Sequence, residues 1–143
     1  MDRQKIIDQL KKDEGFISVS QWDNKQYTYG YGCKAPGMGA IISRQSAEIL
    51  LGKRVDQAIQ EYHEIFADQP IDDVRQGALV NMIFNLGQEG VRKFHKMISA
   101  IQHDNWELAA DEAQDSLWYR QLKDSGDPPG RARRIVSELE KGR

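Results

Sequence analysis

Residues 13–32 read DEGFISVSQWDNKQYTYGYG, and the periodicity of the apolar residues changes within this stretch. Just before it, apolar residues recur at the three- and four-residue spacing of an amphipathic helix over residues 3–13. Gly15 can adopt the left-handed conformation that commonly ends a helix, which places Glu14 at the C-terminal end of this one. We therefore expect the chain to leave the helix at Glu14 and to enter a different structure.

The rest of the stretch has the period of two that is typical of β-strands. Apolar residues alternate with serines over residues 17–20, and tyrosines alternate with Thr28, Gly30 and Gly32. These segments predict a β-hairpin with its turn at residues 23–26, where an asparagine tolerates a left-handed conformation. The side of the second strand that carries the threonine and the glycines is nearly bare, so we expect a ligand to approach the backbone closely there.

Two carboxylates border the predicted hairpin. Glu14 lies at a helix C-terminus, where exposed carbonyl groups disfavour a charged carboxylate and favour the protonated form that a general acid needs. Asp23 lies in the turn, and we expect it to face Glu14 across the bare side of the hairpin. Two carboxylates across a groove are the groups that hydrolyse a glycosidic bond. Each feature is also common by itself, so the spacing alone leaves a purely structural interpretation open.

The order Glu14-Gly15, Asp23, Thr28 and Tyr-Gly-Tyr-Gly resembles the active-site signature of the phage-type, T4-lysozyme-like endolysins of glycoside hydrolase family 24. The resemblance covers nearly the whole chain. It implies that Glu14 is the general acid, that Asp23 is the base or nucleophile, and that Thr28 helps to place the water. The chain departs from the family in two places: four residues rather than the usual five separate Asp23 from Thr28, and Cys33 stands where a histidine is frequent.

Four residues are candidates for contacts with the substrate. Gly30 and Gly32 are candidates on the bare side of the hairpin. The segment NMIFNLGQEGV at residues 81–91 resembles the central helix of the family, which makes Asn85 a candidate sugar contact. An asparagine satisfied inside the protein is the alternative. Arg131 begins a segment whose first arginine touches the catalytic acid in the family, so we expect it to border the substrate site and to pair with Glu14.

Composition restricts the remaining possibilities. The chain has 143 residues, 29% of them charged, and a net charge of -2, so it has no overall attraction for nucleic acid. No stretch reaches the roughly 18 apolar residues of a membrane span, so we expect no stable membrane insertion. The single cysteine forms no internal disulfide, and we expect a packed or partly exposed thiol rather than a nucleophile. The three histidines lack the paired spacing of a zinc site, so we expect no metal and no cofactor.

Helical spacing dominates the rest of the chain, and Ser43 is a good N-cap for a long helix over residues 44–66. We predict a mostly helical α+β fold. A small hairpin lobe, residues 14–43, is followed by this connecting helix. A larger helical lobe of about residues 70–143 takes in the N-terminal helix. The family resemblance implies the same arrangement of the two lobes in a single lysozyme-like domain.

The resemblance implies a peptidoglycan-degrading muramidase, which hydrolyses the β-1,4 bond between N-acetylmuramic acid and N-acetylglucosamine with inversion at the anomeric carbon. The alternatives are a lytic transglycosylase, which closes an anhydro ring, and an inactive wall-binding module. Transglycosylases typically use one carboxyl, so Asp23 favours hydrolysis. We expect a monomer whose partner is the bacterial glycan strand. Its polar first residues predict synthesis in the host cytoplasm without a signal peptide and action on the wall after membrane permeabilisation, with a phage or a prophage as its source.

Overall fold

A computed structural model describes residues 1–142 of the chain, which form seven α-helices and one three-stranded antiparallel sheet. In chain order the elements are α1 (Arg3–Glu14), β1 (Ile17–Trp22), β2 (Tyr27–Gly30), β3 (Cys33–Lys34), α2 (Arg44–Phe66), α3 (Asp73–Arg92), α4 (His95–Gln102), α5 (Trp106–Gln114), α6 (Leu117–Leu122) and α7 (Arg131–Lys141). The predicted mostly helical α+β fold is confirmed. None of the described helices is long and apolar enough to cross a membrane.

Helix α1 begins and ends where its sequence dictates. The Asp2 side chain accepts a hydrogen bond from the amide of Lys5 and caps the first turn. At the other end Gly15 has a φ of 67°, and its amide donates to the carbonyl of Lys11. The apolar side chains of α1 are buried against the helical lobe. Glu14 is therefore the last residue of a well-anchored helix.

The sheet contains the predicted hairpin and one additional strand. β1 pairs with β2 so that Gln21 lies opposite Thr28, and the intervening turn places Asn24 at a φ of 82°. This is the left-handed residue that the sequence predicts. The additional strand, β3, pairs with β2 and follows two glycines of positive φ that reverse the chain. A strand of two residues is too short to show a period in the sequence.

Helix α2 spans the predicted range, and the Ser43 side chain caps it by accepting from the amide of Ser46. Glycine is unfavourable inside a helix, so the sequence predicts that Gly87 and Gly90 both interrupt α3. This prediction is wrong for Gly90, since only Gly87 leaves the helical region, with φ 77° and ψ 162°. Gly90 lies inside the second part of α3 because its backbone remains helical.

One apolar cluster runs through both lobes. Its buried members include Tyr31 and Ile42 from the hairpin lobe and side chains from all seven helices. The start of α7 is fixed by Gly130, whose φ is 130° and whose missing Cβ leaves room for the carbonyl of Lys123. Only glycine fits at this position, and α7 therefore begins at the following residue, Arg131.

Candidate active site

The carboxylate of Glu14 is held from two sides. From α7, Arg131 Nη2 donates a hydrogen bond to Glu14 Oε2, so the predicted ion pair is confirmed. From the hairpin lobe, the backbone of Gly32 lies against the same carboxylate, and a Cβ at this position would overlap Glu14 Oε1. The Glu14 side chain is nevertheless 19% exposed. A glutamate that is fixed in orientation and still reaches solvent can exchange a proton with a bound molecule.

Arg131 is nearly enclosed by the protein, with 6% of its side chain exposed. Besides its bond to Glu14, its Nε lies 3.5 Å from Asp13 Oδ2. A planar guanidinium between two carboxylates fixes the direction in which each of them points. Arg131 thus orients the candidate acid. Its direct contact with a sugar stays a prediction.

Asp13 is the buried centre of the arrangement, although it is not among the residues predicted from the sequence. None of its side chain is exposed, and it accepts hydrogen bonds from Arg134 Nη2 at 2.6 Å, Asn81 Nδ2 at 2.9 Å and the Asp127 amide at 3.1 Å. Burial alone would raise the pKa of Asp13, but these three bonds and the charge of Arg131 hold its pKa below the ordinary value. Asp13 therefore stays ionised and joins α1, α3 and α7.

A signal for this network was present in the sequence. Arg131 and Arg134 are three residues apart at the start of a helix, so they share a face. Asp13 and Glu14 are adjacent at the end of another helix. Two arginines on one face match two neighbouring carboxylates, which is the pairing that the structure contains.

Asp23 lies at the surface, in the turn between β1 and β2. Hydrogen bonds from the amides of Gln26 at 2.9 Å and Lys25 at 3.1 Å hold the pKa of the Asp23 carboxyl below its ordinary value. Its carboxylate is therefore charged at neutral pH, as a general base requires. The same two bonds stabilise the turn, so the side chain has a structural role in addition.

The candidate residues form two groups at the two ends of β2. Glu14 contacts both Gly32 and Arg131 at one end, whereas Thr28 is half-buried close to the turn that carries Asp23. The four Cα–Cα steps from Thr28 to Gly32 span at most about 14 Å. The position of Asp23 opposite Glu14 across a groove stays a prediction.

Gly30 lies in a different environment from the one that the sequence predicts. The alternating pattern predicts a bare side that faces a ligand, but the residue is buried, and a Cβ there would lie 2.9 Å from Ala47 Cβ in α2. Its φ of 61° turns this part of the strand, so the alternation of sides does not continue through it. The close approach that this glycine permits is made by α2 and not by a substrate.

Asn85 is half-buried, and its Oδ1 accepts a hydrogen bond from Trp118 Nε1 at 3.0 Å. One end of the amide is thus satisfied inside the protein, as the alternative interpretation expects. Within residues 1–142 its Nδ2 donates no hydrogen bond, so a sugar contact through that atom stays a prediction. Cys33 is a packed thiol, 4% exposed, as expected. The described part of the chain contains no cluster of His, Cys, Asp and Glu that is placed to hold a metal ion.

Comparison with known proteins agrees with this geometry. Residues 11–134 match the family model described as Phage lysozyme. The chain belongs to the phage lysozyme family. The matched range contains Glu14, Asp23, Thr28, Asn85 and Arg131, so the resemblance on which their expected roles rest is confirmed.

Individual relatives of this phage lysozyme family member are longer proteins. The chain is 31% identical to the Pre-baseplate central spike protein Gp5 of Enterobacteria phage T4, over 92% of this chain and 27% of that protein. It is 32% identical to Probable T4-type lysozyme 1 and 36% identical to Probable T4-type lysozyme 2 of Dictyostelium discoideum, over 50% of this chain and 39% of each relative. The chain thus spans less than half the length of these relatives.

Proposed function

We propose that the chain is a muramidase that hydrolyses the β-1,4 bond between N-acetylmuramic acid and N-acetylglucosamine in bacterial peptidoglycan. The observation that carries this proposal is the half-enclosed Glu14, oriented by Arg131 and Gly32 in a member of the phage lysozyme family. The family supplies the class of substrate. The geometry supplies a carboxyl group that is fixed in direction and open to solvent.

In the proposed reaction, protonated Glu14 donates its proton to the glycosidic oxygen as the bond from that oxygen to the anomeric carbon breaks. A water molecule attacks the anomeric carbon, and its oxygen forms the new bond. The charged carboxylate of Asp23 takes the proton that the water loses, and the hydroxyl of Thr28 orients the water. Arg131 stabilises the negative charge that Glu14 carries after the transfer.

Inversion at the anomeric carbon is part of the proposal. It requires the two carboxyl groups to be roughly 6.5–9.5 Å apart, so that a water molecule fits between Asp23 and the sugar. One residue fewer than usual separates Asp23 from Thr28, which tightens the turn. The amides of Lys25 and Gln26 hold the Asp23 carboxylate in this turn. NMR of the first-formed product is expected to show the α-anomer, and a β-anomer would refute inversion.

The rival within the same substrate class is a lytic transglycosylase, in which an oxygen of the sugar itself attacks the anomeric carbon. Digestion of purified walls in water labelled with oxygen-18, followed by mass spectrometry, separates the two reactions. We expect one labelled oxygen at each new reducing end. Anhydro products without the label would indicate transglycosylation, and binding to walls without any product would indicate a wall-binding module.

The place of action belongs to the same proposal. We propose synthesis in the host cytoplasm and access to the wall after permeabilisation of the membrane, as a phage-derived bacteriolytic enzyme. Expression in a bacterial host tests this directly. Cells are expected to lyse only when a pore-forming agent is added, whereas lysis without the agent would contradict it.

A further inference from the structure

Arg54, in the middle of α2, reaches the part of the hairpin lobe that contacts Glu14. Its Nη1 donates a hydrogen bond to the carbonyl of Gly32 at 2.9 Å and lies 3.7 Å from Cys33 Sγ. Gly32 is the residue whose backbone lies against the Glu14 carboxylate. One guanidinium therefore holds the peptide group on which the candidate acid rests.

Arg54 is itself held in place from the helical lobe. Its Cζ lies 4.0 Å from the centre of the Phe84 ring in α3, within the range of a cation–π interaction. Within the described residues it forms no ion pair with a carboxylate. Its contacts are thus a carbonyl, a thiol and an aromatic ring, which belong to two different lobes. These contacts determine where the guanidinium lies and leave its charge uncompensated by an acid.

In the segment that Arg54 holds, Gly30 packs against Ala47 of α2 and Tyr31 is buried in the core, whereas Gly32 has no side chain to anchor it. Gly30 and Gly32 have φ values of 61° and 72°, and neither has a side chain that could pack. Glycines in such a turn have more accessible conformations than other residues. A hydrogen bond from a part-buried arginine to the carbonyl of Gly32 removes much of that freedom.

We propose that Arg54 is a positioning residue for the proton donor. Arg131 orients the carboxylate of Glu14 through Oε2 from α7, and Arg54 sets the position of the surface beside Oε1 by way of Gly32. Without Arg54, the Glu14 carboxylate is still held by Arg131 at Oε2, but the backbone beside Oε1 is no longer fixed. The inference rests on the proposed function, because it assigns Arg54 to the reaction that Glu14 is proposed to catalyse.

The test compares Arg54→Met, Arg54→Lys and the neighbouring Lys53→Met, an exposed control on the same helix. Rates are measured on soluble glycan fragments well below the unfolding temperature of every variant. Arg54→Met is expected to lower kcat by about tenfold or more with little change in KM, because misplacement of a catalytic group reduces the rate of the chemical step. Arg54→Lys, which can still donate to the carbonyl, recovers part of the rate, and Lys53→Met matches the wild type.

A second readout does not depend on activity. In NMR spectra, the amide of Gly32 and the side-chain carboxyl carbon of Glu14 are expected to shift in Arg54→Met and to stay unchanged in Lys53→Met. If Arg54→Met lowers only thermal stability, and both the rate and the Glu14 signal match the wild type, Arg54 is a structural brace and the inference is wrong. If the wild type releases no product but the Glu14 signal still responds to Arg54→Met, the contact stands and the proposed function fails.

Discussion

Asp13 is a charged side chain without exposed surface, and the protein compensates for its burial with four neighbouring donors and charges. Removal of water from a carboxylate costs several kcal/mol, which is regained only when its oxygens are paired. Arg134, Asn81 and the Asp127 amide provide this pairing. The orientation of Arg131, and through it that of Glu14, therefore depends on Asp13.

We expect Asp13→Asn to lower the free energy of unfolding by about 3 kcal/mol at pH 7, because it removes the close carboxylate partner of Arg134 and one of the two carboxylates beside the buried Arg131. The folded-state pKa of Asp13 lies below its ordinary value of 3.8, so its contribution is complete above about pH 4 and is lost on further acidification. Urea titrations at several pH values measure this difference. The exposed control, Asp8→Asn, should change stability by less than about 0.5 kcal/mol. A deficit of Asp13→Asn that stays constant down to pH 2 would contradict the assignment.

Asp23 has a structural role and a proposed chemical role, and one substitution separates them. Asn can accept the same two amide hydrogen bonds in the turn but cannot act as a base. We expect Asp23→Asn to keep the unfolding temperature within a degree or two of the wild type and to lower the hydrolysis rate by about 100-fold. Thermal scans and turbidity assays on purified walls measure the two effects. Full activity of Asp23→Asn would limit this residue to the turn.

The contacts of individual residues could be predicted where a short motif or the family resemblance indicated them. The pair of Glu14 and Arg131 joins residues 117 apart in the chain, and only the resemblance suggests it. Asp13 was missed because the two adjacent carboxylates and the two arginines three residues apart do not by themselves show that the end of α1 meets the start of α7. Its burial is produced by α3, α7 and the loop before α7, which no local sequence signal brings together.

Among the secondary-structure elements, the boundaries that depend on local capping were predicted best. Ser43 and Gly15 act on backbone groups within a few residues, so α2 and the end of α1 follow from the sequence. The hairpin was predicted from its period, but β3 and the buried side of Gly30 were not. Both depend on the positive φ of two glycines, which bends the chain towards α2.

The contact between the hairpin lobe and Glu14 makes a direct prediction for Gly32. A methyl group in Gly32→Ala would overlap the Glu14 carboxylate, and its φ of 72° also strains an L residue. We expect a loss of activity of about 100-fold, together with destabilisation of about 1–3 kcal/mol from the backbone alone.

Gly87→Ala is the matched control for that experiment. Its φ is 77°, but no atom lies within 4 Å of the added methyl group. It should therefore show a similar loss of stability with nearly unchanged activity per folded molecule. Kinetic assays corrected for the folded fraction compare the two variants. Equal activity of Gly32→Ala and Gly87→Ala would show that Gly32 does not determine the position of the carboxylate.

The two lobes share one apolar cluster, and the ion pairs at Asp13 and Glu14 connect the first helix to the last. We therefore expect the chain to unfold in a single transition. Incorporation of fluorotryptophan gives one fluorine NMR signal for each of the three tryptophans, with Trp22 reporting on the hairpin and Trp106 and Trp118 on the helical lobe. Their midpoints in urea should coincide. A separate, earlier transition at Trp22 would indicate that the hairpin lobe unfolds independently.

The proposal that Glu14 is the proton donor of a wall-hydrolysing enzyme is tested most directly by Glu14→Gln. Gln keeps the size of the side chain and can still accept the bond from Arg131, but it cannot supply a proton. The release of new reducing ends from purified peptidoglycan is measured for the wild type, for Glu14→Gln and for the exposed control Glu89→Gln. We expect Glu89→Gln to match the wild type and Glu14→Gln to be at least about 100-fold slower while it stays folded. Reducing-end release by folded Glu14→Gln at the rate of the wild type would contradict the assignment.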